Sequence, residues 1–335
     1  MDTNDRSNWL LSPKIYIENV RNREQAYFTS SEAVLEKLRL VCEPGEVCCR
    51  FSDDCDIEAF HNADILIAGK LDTLRIATEG KALKLIQCTS AGVENYSPFD
   101  WLRPNTTLTN ASGVHSEKAA EFGLMAVLML HEGVPSIATN QRAHIWKREL
   151  KGMSSERKVL IYGVGALGGA VAARLDKSGF EITGVRRSGD PHPAVSKMVT
   201  PDRFHEELEK ADILILSCPL TAETKGLMGS AEFELLPPGA SLLNIARSGV
   251  VNHNALVASL NSGQLSGAIL DVFDHEPLPS ASPLWDVPNL MVFPHVSSDA
   301  PVGYIGRCLD ILADNVKRYQ TGLPLRNVVN PNRGY

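Results

Sequence analysis

Basic residues are in the minority in this sequence. Lysine and arginine number 33 against 40 aspartates and glutamates, so the 335-residue chain carries a formal net charge of −7. A dedicated nucleic-acid-binding protein would show a basic excess instead. The longest apolar run, residues 122–130, is far shorter than the roughly 20 residues of a membrane span. The first residues also lack the basic-then-apolar pattern of a secretory signal. We therefore expect neither nucleic acid nor a membrane as a partner.

The sequence also lacks paired or metal-spaced cysteines. Its seven cysteines are odd in number and scattered, which is typical of reduced thiols in a cytoplasmic protein. Cys42, Cys48, Cys49 and Cys55 lie close together, but no histidine or cysteine spacing around them matches a zinc site. We therefore expect no metal, and we interpret these four residues as small apolar residues of a core.

One glycine-rich stretch organises the chain. Residues 158–169 read KVLIYGVGALGG, and an alanine-rich helical pattern follows at once. A strand that turns into a helix through G-x-G-x-x-G makes a dinucleotide site: Gly163 permits the tight turn, Gly165 admits a pyrophosphate and Gly168 lets the helix pack close. The helix N-terminus favours the phosphates. The alternative is an ordinary strand-turn-helix junction. The predicted contacts are Gly163, Gly165, Ala166, Leu167 and Gly168.

The acid that usually follows the second strand of such a unit is missing. NAD-binding proteins place an Asp or Glu about 20 residues after the glycines, on the ribose 2′-hydroxyl. Here the predicted strand at 181–185 is followed by Arg186, Arg187 and Ser188, and the first acid is Asp190. Guanidinium groups attract a 2′-phosphate. The sequence therefore predicts NADP(H), with NAD(H) possible; the alternative is that the two arginines form a solvated pair.

Strands alternating with helices predict an α/β fold with two domains. Apolar runs at 14–18, 63–68 and 83–87 are interpreted as strands of a first unit, with a helical pattern over 31–40 for which Ser31 is the expected N-cap. From residue 158 onward a doubly wound, parallel Rossmann-type sheet is predicted, with later strands at 181–185, 211–217, 241–245, 267–270 and 290–293. A helix begins at Ser116, and residues 131–157 read as polar and mixed. An amphipathic helix over 301–320 is expected to return to the first unit.

Three polar side chains follow strands of the second unit. Arg247 follows SLLNIA, Glu276 follows AILDVFDH and His295 follows LMVFP. Because parallel strands end at one edge of a sheet, we expect the three to lie beside the cofactor. An arginine can bind a carboxylate bidentately, a histidine can pass a proton, and a glutamate beside the ring favours its protonated form. With a nicotinamide, this set predicts interconversion of 2-keto and 2-hydroxy acids.

The ordered motifs GVGALG, CPLTAETKGLM, NIARSGVV, GAILDVFDHEP and PNLMVFPHVSS resemble those of the D-isomer-specific 2-hydroxyacid dehydrogenase family, and among its members most closely the glyoxylate/hydroxypyruvate reductases. By these motifs the family's catalytic residues fall on Arg247, Glu276 and His295. The resemblance implies a nucleotide domain over 117–299, a split, smaller, flavodoxin-like substrate domain over 1–116 and 300–335, and a homodimer.

The resemblance implies further contacts. Asp271 would lie near the nicotinamide amide, and Pro219 and Thr224 would line the adenosine side. The turn Ala91-Gly92-Val93 would bind the substrate carboxylate through its backbone. The remaining expected cofactor contacts are Cys218, Ile245, Ala246 and Ser297.

Lys70 and Trp146 are less firmly placed by the sequence. Lys70, at the end of the apolar run at 63–68, could approach the substrate carboxylate. Trp146, isolated among charges, could cap a partner subunit's pocket or anchor an interface. Some relatives have Gly-Gly and Thr after the catalytic histidine where this chain has Ser297-Ser298-Asp299. The identity of the substrate therefore stays open.

Two other functions remain open at this point. Corepressors related to the family keep its fold and polar triad but act through protein partners. A phosphite-type dehydrogenase is possible on the same scaffold, whereas the formate enzymes of this scaffold resemble a Gln/His arrangement that the Arg-Glu-His set does not match. Hydride transfer on a panel of 2-keto acids separates the reductase from the binding protein.

Overall fold

The computed structural model describes residues 10–21, 24–300 and 302–333. The chain divides into two compact units. The first comprises the residues up to Val114 together with those from Ala300 onward, and the second is His115–Asp299. The division expected at residues 116/117 lies two positions from the observed one. Among the described residues no single helix is long and apolar enough to cross a membrane, and one helix pair bent by 62° meets the criteria by length and composition alone.

The strands and helices of the described residues follow one another along both units. The strands are β1 (Ile15–Asn19), β2 (Val47–Phe51), β3 (Ile65–Ala68), β4 (Leu85–Cys88), β5 (Thr107–Thr109), β6 (Lys158–Tyr162), β7 (Glu181–Val185), β8 (Lys197–Val199), β9 (Ile213–Leu216), β10 (Ala240–Asn244), β11 (Leu265–Leu270) and β12 (Leu290–Val292). The helices are α1 (Ser31–Leu38), α2 (Ile57–His61), α3 (Thr73–Glu79), α4 (Ser116–His131), α5 (Val134–Arg142), α6 (Ala166–Lys177), α7 (Phe204–Leu208), α8 (Ser230–Leu235), α9 (His253–Ser262) and α10 (Tyr304–Gln320).

The first unit is a parallel sheet in the order β2-β1-β3-β4-β5. This is the flavodoxin-like order, which reverses between β1 and β3. The prediction of strands at β1, β3 and β4 is confirmed with slightly shifted ends. β2 was not predicted, because none of its residues is buried and they show no clean alternation. β5, which has three residues, was not predicted either.

Two helices of the first unit differ from their predicted bounds. The predicted N-cap of α1 was wrong, because Ser30 has extended backbone angles and its side chain accepts the backbone N–H of Ala33 at 3.1 Å. α10 begins at Tyr304 and buries residues such as Cys308 and Leu312 in one cluster with Ile17 of β1. The prediction that this C-terminal helix returns to the first unit is therefore confirmed.

The second unit is a seven-stranded parallel sheet in the order β12-β11-β10-β9-β6-β7-β8. This order confirms the predicted doubly wound, Rossmann-type sheet, and it reverses between β6 and β9. Alternate residues of the central strands enter two separate cores: Leu242 belongs to one cluster and Leu243 to the other. Both faces are thus covered, which explains the continuous apolar runs. The segment interpreted as polar and mixed contains α5, whose N-cap is the left-handed Gly133 and whose second residue is Pro135.

The carboxyl ends of all seven strands align across this sheet. The registers connect the last residues of the strands in one row, which runs through Val199, Val185, Tyr162, Leu216, Asn244, Leu270 and Val292. The turns that follow these residues therefore start side by side along one edge of the sheet. Ligands of open α/β sheets bind outside this edge.

The four neighbouring cysteines of the first unit are partly buried, so their assignment as core residues was too strong. Burial raises the pKa of the thiols of Cys42, Cys48 and Cys49. Cys55 accepts a hydrogen bond from the Tyr16 hydroxyl at 3.3 Å. Within the described ranges, no group of three or more His, Cys, Asp or Glu residues is arranged to hold a metal ion.

Candidate active site and cofactor-binding turn

The three glycines after β6 have different surroundings. Gly163 has φ +106°, and a Cβ there would lie 2.6 Å from the backbone nitrogen of Cys218. A Cβ on Gly168 would collide with the carbonyl oxygen of Gly163. A Cβ on Gly165 would meet no atom within 4 Å, so this side of the turn is open. The turn is therefore closed on its protein side and open where a ligand would approach.

The first turn of α6 lies directly behind this opening. Gly165 and Ala166 are exposed, Leu167 is half-buried, and no side chain caps the helix. The first backbone N–H groups of a helix have no partner within it and carry the positive end of its dipole. These residues fit a dinucleotide pyrophosphate, because they combine open space, backbone donors and a favourable field.

Arg186, Arg187 and Ser188 form a tight turn at the end of β7. The N–H of Gly189 donates to the carbonyl of Arg186 at 3.0 Å, and Gly189 has φ +68°. Because Val185 pairs with Tyr162, this turn starts beside the glycine turn. One guanidinium nitrogen of Arg187 lies 3.9 Å from a carboxylate oxygen of Glu223. The turn therefore carries arginines at the position where NAD-binding proteins have an Asp or Glu for the ribose 2′-hydroxyl.

The segment after β9 contributes Cys218, Pro219 and Thr224. The Thr224 hydroxyl donates to the Pro219 carbonyl at 2.7 Å and accepts the Thr221 N–H at 2.8 Å, so it fastens its own turn. Burial raises the pKa of the Cys218 thiol to about 12, which keeps it uncharged. This segment therefore holds its conformation through its own hydrogen bonds, beside the glycine turn.

Arg247 is positioned by a buried residue that the sequence reading missed. Asn244, the last residue of β10, is fully buried. Its Nδ2 donates to the Arg247 carbonyl at 3.2 Å, and its Oδ1 accepts the Ala246 N–H at 3.0 Å. Ile245 and Ala246 are buried, whereas Arg247 is half-buried. The sequence feature that could have indicated this role is a polar residue, Asn244, at the end of a largely apolar strand.

His295 and Glu276 form a direct pair. Nδ1 of His295 lies 2.7 Å from Oε2 of Glu276, and Oε1 of Glu276 accepts the Phe273 N–H at 2.8 Å. His295 has φ +54°, a left-handed backbone conformation that is uncommon outside glycine. Its N–H donates to the Phe293 carbonyl at 3.0 Å. The ring is thus fixed through Nδ1, and Nε2 lies on its opposite side.

Asp271 is engaged differently from the role expected for it. It is 1% exposed. Its carboxylate accepts the N–H of Val296 at 2.8 Å and that of Ser297 at 3.1 Å. Burial raises the pKa of this carboxyl, whereas the hydrogen bonds and the nearby His295 oppose the rise. Asp271 therefore holds the turn that follows His295, and Ser297 is buried within that turn. A contact with a nicotinamide amide stays a prediction.

The expected substrate-binding residues Lys70, Ala91, Gly92 and Val93 belong to the first unit. Lys70 is exposed just after β3, and the turn at 91–93 follows the neighbouring β4. The Ala91 carbonyl accepts a hydrogen bond from Asn110 at 2.9 Å. Trp146 of the second unit is 96% exposed. The predicted cofactor-binding and catalytic residues of the second unit, in contrast, follow strands whose carboxyl ends align at one edge of its sheet.

Known proteins resemble this chain in sequence and in structure. A family model described as D-isomer specific 2-hydroxyacid dehydrogenase, NAD binding domain, matches residues 124–297. Glyoxylate/hydroxypyruvate reductase A from Salmonella newport (strain SL254) is 37% identical over 191 residues, which cover 57% of this chain and 60% of that protein. The match therefore spans less than two thirds of this curated relative.

Two solved structures cover nearly the whole chain. The D-isomer specific 2-hydroxyacid dehydrogenase from Xanthobacter autotrophicus Py2, in complex with NADPH and MES, superposes with a TM-score of 0.82 at 29% identity, covering 97% of this chain and 100% of that one. The NADPH-dependent glyoxylate/hydroxypyruvate reductase from Sinorhizobium meliloti, in complex with NADP and sulfate, superposes with a TM-score of 0.77 at 25% identity, covering 96% and 100%. With its family-model match over more than half its length, the chain belongs to the D-isomer specific 2-hydroxyacid dehydrogenase family.

Proposed function

We propose that this protein is an NADPH-dependent reductase of small 2-keto acids of the glyoxylate or hydroxypyruvate kind, forming D-2-hydroxy acids. The observation that carries the proposal is the 2.7 Å pair of His295 and Glu276 at the sheet edge that also bears Arg247 and the glycine turn. A proton donor, a carboxylate-binding cation and a dinucleotide cradle are what this reduction requires.

A bound nicotinamide cofactor supplies the hydride. The Arg247 guanidinium binds the substrate carboxylate through two parallel hydrogen bonds. His295 donates a proton from Nε2 to the carbonyl oxygen, because its Nδ1 is already engaged by Glu276. Glu276 in turn is anchored on the Phe273 N–H, which keeps the ring oriented. Asp271 fixes the backbone that follows His295.

The cofactor preference rests on the turn after β7. Arg186 and Arg187 offer charge-assisted hydrogen bonds to a 2′-phosphate, and Ser188 adds a hydroxyl. Each such bond contributes roughly 1.5–3 kcal/mol, so we expect NADPH to be preferred by about tenfold or more. The Xanthobacter and Sinorhizobium structures, described with NADPH and NADP respectively, support the same choice.

Lys70 and the backbone at 91–93 are proposed to bind the substrate carboxylate. Lys70→Ala is expected to raise KM for the keto acid without changing the affinity for NADPH.

A homodimer and a cytoplasmic location are also proposed for the protein. Sedimentation of the purified protein tests the dimer.

A substrate panel tests the proposal most directly. The purified protein is assayed with glyoxylate, hydroxypyruvate, pyruvate and larger 2-keto acids, each with NADPH and NADH, and the chirality of the chiral products is determined. We expect reduction of the small acids with NADPH and D products. Cofactor binding without turnover on any keto acid would favour a corepressor-like binding protein, and NADP-dependent or NAD-dependent oxidation of phosphite alone would favour a phosphite dehydrogenase.

A further inference from the structure

The loop after β11 ties three turns of the sheet edge together. Three of its carboxylates accept hydrogen bonds that make these connections. Asp271 accepts N–H groups from the turn after His295, and Glu276 accepts from the His295 ring. The third carboxylate, Asp274, accepts from the turn after β10 that carries Arg247. The first two ties belong to the site already described, and the third does not.

This third tie is a hydrogen bond from Ser248. Its hydroxyl donates to Oδ1 of Asp274 at 2.6 Å, and Ser248 is 8% exposed. Ser248 directly follows Arg247, and Asp274 lies two residues before Glu276. The bond therefore joins the backbone that bears the carboxylate-binding cation to the loop that holds the proton donor, across 26 residues of sequence.

His253, at the start of α9, completes a small cluster. Its Nε2 lies 3.4 Å from the Ser248 hydroxyl, and its Nδ1 lies 3.8 Å from Oδ2 of Asp274. The three residue types are those of a hydrolytic triad, but the geometry is not. A nucleophilic serine gives its proton to the histidine, whereas Ser248 donates directly to the carboxylate at a shorter distance. The cluster therefore serves to hold Ser248 and Asp274 in place.

We propose that Ser248 and Asp274 are positioning residues, whose hydrogen bond holds Arg247 in register with the His295–Glu276 pair. This rests on the proposed function of that site. The buried Asn244 holds the Arg247 backbone from the strand side, and Ser248 holds it from the loop side. Loss of the bond to Asp274 removes the link to the loop of the proton donor, so Arg247 can shift relative to His295 although Asn244 and the Val250 N–H still hold its carbonyl. A misplaced cation weakens substrate binding and also reduces the rate, because reacting groups must be held in close alignment.

A double-mutant cycle tests this proposal. Ser248→Ala and Asp274→Ala are each expected to raise KM for glyoxylate and to lower kcat, so that kcat/KM falls about three- to tenfold. Because either change removes the same bond, the double variant should be no worse than the poorer single variant. Affinity for NADPH should stay within about twofold. Ser262→Ala is the matched control, since its hydroxyl donates to a carbonyl at the far end of α9, and it should behave as the wild type.

Two kinds of result would overturn the proposal. Additive effects of the two changes would show that the residues act separately. Wild-type kinetics in both single variants, or a parallel loss of NADPH affinity, would show that the bond does not position Arg247.

A measurement independent of turnover separates this proposal from the proposed function. Relaxation of the ¹⁵N-labelled Arg247 side chain is compared between the wild type and Ser248→Ala, with Ser262→Ala as control. Increased mobility of Arg247 in Ser248→Ala alone supports positioning even if the wild type reduces no keto acid. Unchanged mobility contradicts positioning even if the wild type is an active reductase.

Discussion

Oε2 of Glu276 lies 2.7 Å from Nδ1 of His295, while the other oxygen of the same carboxylate accepts the N–H of Phe273 at 2.8 Å. Glu276 thus connects the His295 ring to the loop after β11. Since Nδ1 is occupied, Nε2 is the ring atom that can exchange a proton with a substrate. The left-handed backbone of His295 is retained because Asp271 fixes the two residues that follow.

His295→Ala is expected to lower kcat by about 10²- to 10⁴-fold, because a positioned general acid is lost. Binding of NADPH, measured by fluorescence titration, should be nearly unchanged. His205→Ala is the matched control, since His205 is an exposed histidine of α7 that pairs with Glu232 at 3.5 Å. Near-wild-type kcat at neutral pH in His295→Ala would remove this residue from the mechanism.

Arg247→Lys keeps the positive charge but loses the planar fork that matches a carboxylate. We expect KM for 2-keto acids to rise and kcat/KM to fall, with little change in the affinity for NADPH. Steady-state kinetics with a 2-keto acid and with a ketone that lacks the carboxylate provide the comparison. If the wild type reduces both classes equally well, Arg247 does not anchor a carboxylate.

Much of this edge could be predicted because parallel strands end together. Arg247, Glu276 and His295 each follow a readable apolar strand, and the alignment of the strand ends places their turns side by side. Gly163, Gly165 and Gly168 were equally readable, because their spacing reflects backbone geometry within a single turn.

The contacts between loops could not be predicted in the same way. The bond from Ser248 to Asp274 depends on the register of β10 against β11 and on two side-chain rotamers, neither of which leaves a pattern in the sequence. The hydrogen bonds of Asp271 could not be predicted for the same reason, because its backbone partners lie 25 and 26 residues away. β2 was not predicted because a partly buried strand at the edge of a sheet needs little hydrophobic periodicity.

Trp146→Ala is expected to weaken self-association of the protein about tenfold or more, the effect of losing a buried aromatic anchor. Trp146 is 96% exposed, and Leu150 and Met153 of the same segment are 77% and 71% exposed, so this segment offers apolar side chains that a second copy could bury. Sedimentation over a range of concentrations measures the change. Trp285→Ala is the control, because Trp285 is 47% exposed and donates to its own loop. A wild type that is monomeric throughout would contradict the assignment.

Arg186→Ala and Arg187→Ala are each expected to lower kcat/KM for NADPH about tenfold or more and to leave that for NADH nearly unchanged. The reason is that only NADPH carries the 2′-phosphate that these guanidinium groups bind. Arg157→Ala is the matched control, because Arg157 precedes β6 at the opposite edge of the sheet and pairs with Asp212 at 3.3 Å. Equal kcat/KM for the two cofactors in the wild type would show that the pair does not select the phosphate.

The carboxylate of Glu223 opposes the preference for NADPH, so its removal should increase that preference. Its carboxylate lies 3.9 Å from the Arg187 guanidinium, and the two side chains are 72% and 51% exposed. A 2′-phosphate bound by Arg187 must displace or repel this carboxylate. Because exposed ion pairs are weak, Glu223→Gln should raise the preference for NADPH over NADH by no more than about fivefold. The gain should shrink at high salt, because exposed charges are screened. A preference that is unchanged at low ionic strength would show that Glu223 and the phosphate do not compete for Arg187.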